Sequence, residues 1–219
     1  MLVLVFDTET TGLPKNMKAT PNISNIADWP NLVQLSYILY DTYAKRVVVV
    51  HDHIIQVPSN VHITEDSTRI HGITNEMSKN YGMKVEEVIL VFMEHFRQAD
   101  LVVAHNVEFD KKIIMSELIR MQENNWSNEL SISRKYYCTM QESIELCNIT
   151  AYTKKDKKEY IKFPSLLELC NHLFQYEPKN LHNSLNDVLV CLQCFYALRF
   201  NTDICHENKV IKSLINTLL

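Results

Sequence analysis

The chain begins with an apolar run, MLVLVF, that meets Asp7 and Glu9 in DTETTG. A run this short, rich in Val and Leu and cut by a polar turn, reads as a buried β-strand over residues 2–7. It therefore requires a sheet around it, and it delivers two carboxylates to that sheet's rim. Side chains two apart on a continuing strand share a face, so Asp7 and Glu9 point the same way. A strand end is where a site can sit without disturbing the core.

The pattern downstream completes an α/β domain. Residues 32–40 (LVQLSYILY) read as a second strand and 46–50 (RVVVV), running toward Ile55, as a third, with Asp41–Lys45 as the hairpin turn. The polar, proline-bearing stretch 15–31 reads as a mobile loop insertion. Thr64 or Ser67 caps a short helix before HGI. Val85, Val88, Ile89, Phe92 and Phe96 at helical spacing predict a helix over 84–98. DLVVAHN (100–106) is a short strand. VEFDKKIIMSELIRM is a helix with Asp110 in its first turn, YYCTM a strand and MQESIELC a helix. PSLLELCNHLF is a helix entered at Pro164 with Ser165 near its cap. LHNSLNDVLVCLQCFYALRF is a long helix, and 204–219 one more. The charge-dense run TKKDKKEYIK (153–162) has two readings, a solvated loop or a phosphate-contacting flap. The expected fold is α/β, a central mixed five-stranded sheet flanked by helices, with an antiparallel first half. A length of 219 residues fits one domain over 1–219 with a core of its own.

Composition excludes several classes. The apolar start lacks a basic leader and a cleavage-type tail, so it is not read as a signal peptide. No stretch approaches the roughly 20 apolar residues of a membrane span. A formal charge of −4 argues against a polycationic wrapper of duplex nucleic acid, though not against an enzyme that holds a few phosphates through metal ions. The six cysteines lie in apolar or helical contexts. Cys191 and Cys194 form a CxxC, but inside the apolar pattern VLVCLQCFYALRF, which predicts packed, reduced thiols and an intracellular setting, cytoplasmic or nuclear.

Four acids stand out. Besides Asp7 and Glu9, Asp110 follows the 100–106 strand by a short turn, and Asp187 heads the apolar helical face that carries Cys191 and Cys194. Singly each has a plain structural explanation: Asp110 favours a helix N-terminus through the dipole, Asp187 caps or pairs, Glu9 belongs to a turn, and His182 is a surface histidine. Yet a carboxylate on a buried face needs a partner. Lys and Arg are absent near Asp187 in sequence, and hard carboxylate oxygens suit Mg²⁺ or Mn²⁺ far better than zinc.

Taken together, FDTETTG, AHNVEFD and HNSLND resemble, in order, the three motifs of the DnaQ-like 3′–5′ exonucleases of the DEDDh type, within the ribonuclease H-like superfamily. IHGIT (70–74), CTM (138–140) and FPSLLELC (163–170) add to a resemblance that covers about residues 2–200. It implies two divalent ions, Mg²⁺ or Mn²⁺, bound by Asp7, Glu9, Asp110 and Asp187, with Asp7 bridging both. Glu9 and Asp187 would complete the site of the attacking water, and Asp110 the site near the leaving oxygen. His182 would act as general base, a role that an imidazole's intrinsic pKa of about 6.5 suits. The resemblance further implies that Leu13 packs on the terminal base, that backbone amides from Thr10 through Thr11 to Gly12 meet the 3′-hydroxyl, and that Asn106 helps place the nucleotide. Gly12 also reads as a turn residue with unusual dihedrals. One departure stands out: many relatives carry arginine and alanine after the third-motif histidine, where this chain has Asn183 and Ser184. That puts phosphate contacts in question more than metal binding.

The implied partner is nucleic acid with a single-stranded 3′ end, and the products are nucleoside 5′-monophosphates. Base stacking tolerates any sequence, so little base preference is expected. DNA and RNA substrates both remain open, as do a homodimer and a polymerase partner bound through the apolar tail VIKSLINTLL. That tail also reads as packing on the domain.

Overall fold

The computed structural model describes residues 1–133 and 135–218. In chain order the elements are β1 (Leu2–Thr10), a 3-10 turn (Ile26–Asp28), β2 (Leu32–Asp41), β3 (Arg46–Ile54), α1 (Glu65–His71), α2 (Asn75–Tyr81) and α3 (Val85–Gln98). β4 (Leu101–Ala104) leads into α4 (Val107–Arg120) and α5 (Asn124–Ile132). β5 (Tyr136–Cys138) leads into two short helices, α6 (Thr139–Glu142) and α7 (Ile144–Cys147). The small strands β6 (Thr150–Tyr152) and β7 (Glu159–Ile161) precede α8 (Leu166–Phe174), α9 (Ser184–Phe200), a second 3-10 turn (Ile204–His206) and α10 (Lys209–Asn216).

The main sheet has five strands in the order β3-β2-β1-β4-β5. β1 and β2 pair antiparallel, as do β2 and β3, while β4 runs parallel to both β1 and β5. The mixed five-stranded sheet expected from the sequence is therefore present. Its centre is β1, and the two-residue period of that strand divides the interior in two. Leu4 and Phe6 join one core with Phe92, Met93 and Phe96 of α3 and Ile113, Ile114 and Leu118 of α4. Val3 and Val5 face the other, with Val188, Leu192 and Phe195 of α9 and Ile211 and Ile215 of α10. Each large apolar side chain so buried contributes roughly 1.5–3 kcal/mol. α9 is apolar nearly all round because it is covered nearly all round, by the sheet on one side and by α8 and α10 on others. The apolar tail is thus packed on the domain, with Ile211, Ile215 and Leu218 buried.

Several expected boundaries shift for physical reasons. β1 does not stop at Asp7: it runs to Thr10, because Asp7, Thr8 and Glu9 pair with Ser36, Leu35 and Gln34 of β2. The acids are inside the strand, and their polarity reflects what they face rather than where the strand ends. β4 is shorter than 100–106, since Asn106 takes a left-handed conformation (φ 73°) that starts the turn into α4. YYCTM is strand only to Cys138, and the MQESIELC helix is broken at Ser143. α2 and α5 were not foreseen, and neither were β6 and β7, in and beside the charge-dense run. The long helix starts at Ser184, three residues late, because Asn183 caps it. The two caps expected upstream are as read: Thr64 accepts from the Ser67 amide, and Ser165 forms a reciprocal capping box with Glu168.

The 15–31 segment, expected to be mobile, is fastened down. The Arg120 guanidinium, on the last turn of α4, donates to the carbonyls of Ile26, Trp29 and Pro30. It also pairs with Glu117 at 2.7 Å, and Glu117 in turn accepts the Leu32 amide at 2.8 Å. Burial outweighs Arg120 at this carboxyl and holds it above the usual carboxylate range. Removing one partner of a buried pair strands the other charge, at about 3–5 kcal/mol. Arg120→Ala is therefore expected to lower the melting temperature by roughly 6–20 °C, at about 2–4 °C per kcal/mol for a chain of this size. Differential scanning calorimetry checks this, and a shift below 2 °C would show the clasp to be ornamental.

Candidate active site

The alternation that builds the two cores also builds the site. Asp7 and Glu9 continue the Val3–Val5 face of β1 and so look toward α9, which bears Asp187 near its start. One oxygen each of Asp7, Glu9 and Asp187 can gather within 4.8 Å of one another. Thr8, between the two acids, points the other way, toward α4. There its amide and hydroxyl both donate to Oδ1 of Asp110, at 3.1 and 2.8 Å. Asp110 is almost fully buried, and its Oδ2 is not used by these bonds. It lies outside the three-acid group but close enough to raise the Glu9 carboxyl, and Asp7 in turn raises Asp110.

The electrostatics are those of an uncompensated anionic site. Burial lifts the Asp7 carboxyl to about 7, partly offset by the nearby Ser184 hydroxyl. Glu9 rises to about 9, first through burial and then through Asp7, Asp187 and Asp110. Asp187 rises to about 8 through burial and Asp7, against the pull of the His182 amide. Asp110 is raised by burial and then by Asp7, despite both Thr8 donors. Among the described residues, no Lys or Arg is one of the groups acting on these four. Hard oxygen donors gathered with like charge and no basic side chain fit a divalent cation such as Mg²⁺ or Mn²⁺.

His182 is exposed and lies outside the helix on which the sequence pattern put it. Its backbone is left-handed, φ 68°, and its amide donates to Oδ2 of Asp187 at 3.1 Å. Such a conformation costs a non-glycine residue on the order of 1–3 kcal/mol and gathers at functional sites. Asn183 next to it accepts from the Asn186 amide as the cap of α9. Ser184, fully buried, donates its hydroxyl to the Asp7 carbonyl at 2.8 Å. The two residues that depart from the family pattern thus dock α9 directly behind Asp7.

Around the 3′-end candidates, the Thr10 hydroxyl donates to the Gly12 carbonyl, and the Thr11 amide donates to the Asn31 carbonyl at 2.9 Å. The Thr11 hydroxyl accepts the Asn31 amide. Both threonines therefore serve the turn itself, and the Thr11 amide is already engaged. Gly12 does not have the unusual dihedrals expected of it, since Gly72 alone among the glycines has positive φ. A Cβ at Gly12 would meet nothing within 4 Å, so open space, not backbone strain, distinguishes the position. Leu13 beside it is 77% exposed. The side chain of Asn106 caps nothing.

Sequence reasoning missed Thr8, Ser184 and His105 as supports of the site. Thr8 was detectable, since a residue between two acids on a strand must face the opposite layer. His105 bonds Pro164 and Thr139 through both ring nitrogens, partners far away in the chain. The cysteines are free thiols, and Cys191 and Cys194 are buried as expected. Among the described residues no helix is long and apolar enough to cross a membrane.

A mixed sheet flanked by helices thus carries three hard-oxygen donors at one place, two from its central strand and one from α9. The Exonuclease (RNase_T) family profile matches residues 4–195, and the chain belongs to this DnaQ-like family. Among solved structures it is similar to E. coli exonuclease I in complex with a 5cy-dT13 oligonucleotide, with TM-score 0.63 and 14% identity over 98% of this chain and 43% of that one. Exonuclease I from Methylocaldum szegediense gives 0.59 and 16% over 94% and 42%. Exonuclease X in complex with 5′ overhanging duplex DNA gives 0.52 and 18% over 95% and 99%. At these identities the likeness is one of fold, and the chain spans less than half the length of the exonuclease I chains. No curated protein matches it in sequence.

Proposed function

We propose that the chain is a divalent-metal-dependent 3′–5′ exonuclease that releases nucleoside 5′-monophosphates from single-stranded or frayed 3′ ends of DNA. The observation that carries this reading is the convergence of Asp7, Glu9 and Asp187 within 4.8 Å, their carboxyls raised with no basic residue among their perturbers in the described residues. Two ions, Mg²⁺ or Mn²⁺, held by these acids and Asp110, would supply charge to activate water and stabilise the leaving oxygen. Asp110 is held for this role by the two Thr8 donors, which leave its Oδ2 available. His182, exposed and tied to Asp187 through its amide, takes the proton from the attacking water at its ring. Leu13 offers an apolar face to the terminal base. The open space over Gly12 lets the 3′ sugar approach the turn backbone, and Asn106 presents an unengaged side-chain amide beside Asp110's helix.

The direct test is a competition digest of 3′-labelled single-stranded DNA, duplex DNA with a mismatched 3′ end, and RNA, in Mg²⁺ and then Mn²⁺. Mononucleotide release from the DNA strand first is the expected result. Faster release from RNA would transfer the assignment to RNA trimming, and internal cleavage would end the exonuclease reading. His182→Ala is expected to lower the rate about 10²–10⁴-fold, the usual worth of a positioned base. A variant whose rate stays within about threefold of the parent's would relieve His182 of the role.

A further inference from the structure

We propose that the β6–β7 hairpin is a binding arm for the single-stranded nucleic acid that trails behind the 3′ terminus, an inference that rests on the exonuclease reading of the acidic site. In a chain of net charge −4, the segment 153–162 holds five lysines against two acids, a net charge of +3. Lys162 pairs with Glu168, but among the described residues Lys154, Lys155, Lys157 and Lys158 take part in no ion pair. Three aromatic side chains flank these lysines and stand in solvent: Tyr152 is 60% exposed, Tyr160 47% and Phe163 54%.

The register distributes the tyrosines over both faces. Tyr152 lies opposite Glu159 and Tyr160 opposite Ala151, so the two rings sit on opposite sides of the ribbon. An isolated two-stranded ribbon is marginally stable, and this one is closed locally. The Lys158 amide donates to the Thr153 hydroxyl and the Thr153 amide to the Lys158 carbonyl, both at 2.9 Å. Exposed rings interleaved with unpaired lysines match the chemistry of a flexible polyanion with unstacked bases. The lysines meet phosphates, and the rings meet any base face.

The arm is also in the right place. Its base closes through the Lys162 amide on the Ile149 carbonyl, and two residues on, the Pro164 carbonyl accepts from Nε2 of His105 at 3.1 Å. A carbonyl only accepts, so Nε2 carries the proton and Nδ1 accepts the Thr139 hydroxyl at 3.0 Å. Burial holds His105 down at about 4, so this neutral tautomer persists across the neutral range. β1 and β4 are parallel with Val5 opposite Val103, so from that pair the two chains run on in the same direction, one to Asp7 and the other to His105. The hairpin is thus moored at the rim on the β4 side of the acids. Leu13 follows the Thr11–Asn31 contact on the β2 side. A strand whose last base rests on Leu13 crosses the acids and reaches the hairpin.

The test uses the full chain. Affinity for a fluorescent dT20 strand is measured by anisotropy against salt, in an Asp110→Asn background so that the strand survives. Replacing Lys154, Lys155, Lys157 and Lys158 together by Gln should weaken binding more than about tenfold at low salt. It should also flatten the slope of log K on log salt by about 3, at roughly 0.7 per lost phosphate contact. Tyr160→Ala should weaken binding about tenfold with the slope unchanged, as lost stacking does. Without the Asp110 change, hydrolysis of the p-nitrophenyl ester of thymidine 5′-monophosphate should be the same with and without the lysines. Unchanged affinity and slope overturn the proposal, and so does parallel loss of ester hydrolysis, which would make the hairpin a support of the site. If the parent chain hydrolyses neither ester nor strand while binding still depends on the hairpin, the exonuclease reading fails and the arm stands.

Discussion

Asp7→Asn will abolish nucleotide release and, at pH 8 without divalent ions, make the protein more stable. Both halves follow from one fact: Asp7 sits among like charges with burial raising its carboxyl to about 7. Asn keeps the shape and an accepting oxygen but removes a charge that Glu9, Asp187 and Asp110 each feel. A ligand to catalytic metal is worth several kcal/mol of transition-state stabilisation. At 1.36 kcal/mol per factor of ten, the rate should fall at least about a thousandfold. Asp110→Asn should match it, because its amide oxygen can still accept both Thr8 donors and the fold is kept. Rates on a labelled single strand, with melting curves in EDTA, decide the matter. Activity within tenfold of the parent in either variant would remove these acids from catalysis.

The second large effect is a stability that depends on pH and metal together. Asp7, Asp187 and Glu9 have folded-state values of about 7, 8 and 9, against 3.8, 3.8 and 4.5 for the free groups. Below about pH 3 both states hold nearly all of these protons and the groups contribute little difference. As pH rises from there the unfolded chain loses its protons first, so the native state binds more of them and stability declines until pH 7–9. Bound cations replace the protons, so the gain from metal should be small at pH 5 and large at pH 8–9. An ion at a hundred times its dissociation constant adds about 2.7 kcal/mol, or roughly 5–11 °C for a chain of this size. Melting temperature measured on a grid of pH and Mg²⁺ or Mn²⁺ gives the result. A metal-free melting temperature flat from pH 5 to 8, with no ion-dependent rise, would contradict the site.

What the sequence disclosed and what it hid divide along one physical line. Strands β1, β2 and β3 and helices α3, α4 and α9 were legible because each buries a face, and burial writes a period into the chain. The same alternation predicted that Asp7 and Glu9 share a side. The true extent of β1 was not legible, because DTET looks like a turn until the partners Ser36, Leu35 and Gln34 are known. β6 and β7 bury almost nothing, so no pattern betrays them. The clasp of Arg120 on 15–31 depends on carbonyls some ninety residues away, and no local signal encodes it. Of the acids, the order and spacing of the motifs were visible; that Thr8 fixes Asp110 and Ser184 backs Asp7 needed the tertiary contacts.

Helix α4 has two tasks at its two ends. Asp110 lies in its first turn, against β1, and Arg120 closes its last turn on the segment that runs from the Leu13 turn into β2. The end that carries Asp110 and the end that clasps this segment are therefore parts of one rigid rod, about 20 Å long at 1.5 Å per residue. With the Leu13 turn pinned to Asn31 as well, the spacing between Leu13 and the acids is built in. It would act as a gauge block: the terminal base meets a fixed stop, and the scissile bond falls at a constant distance from it. On this view the length of each cut is set by the frame of the protein, not by the sequence of the strand it consumes.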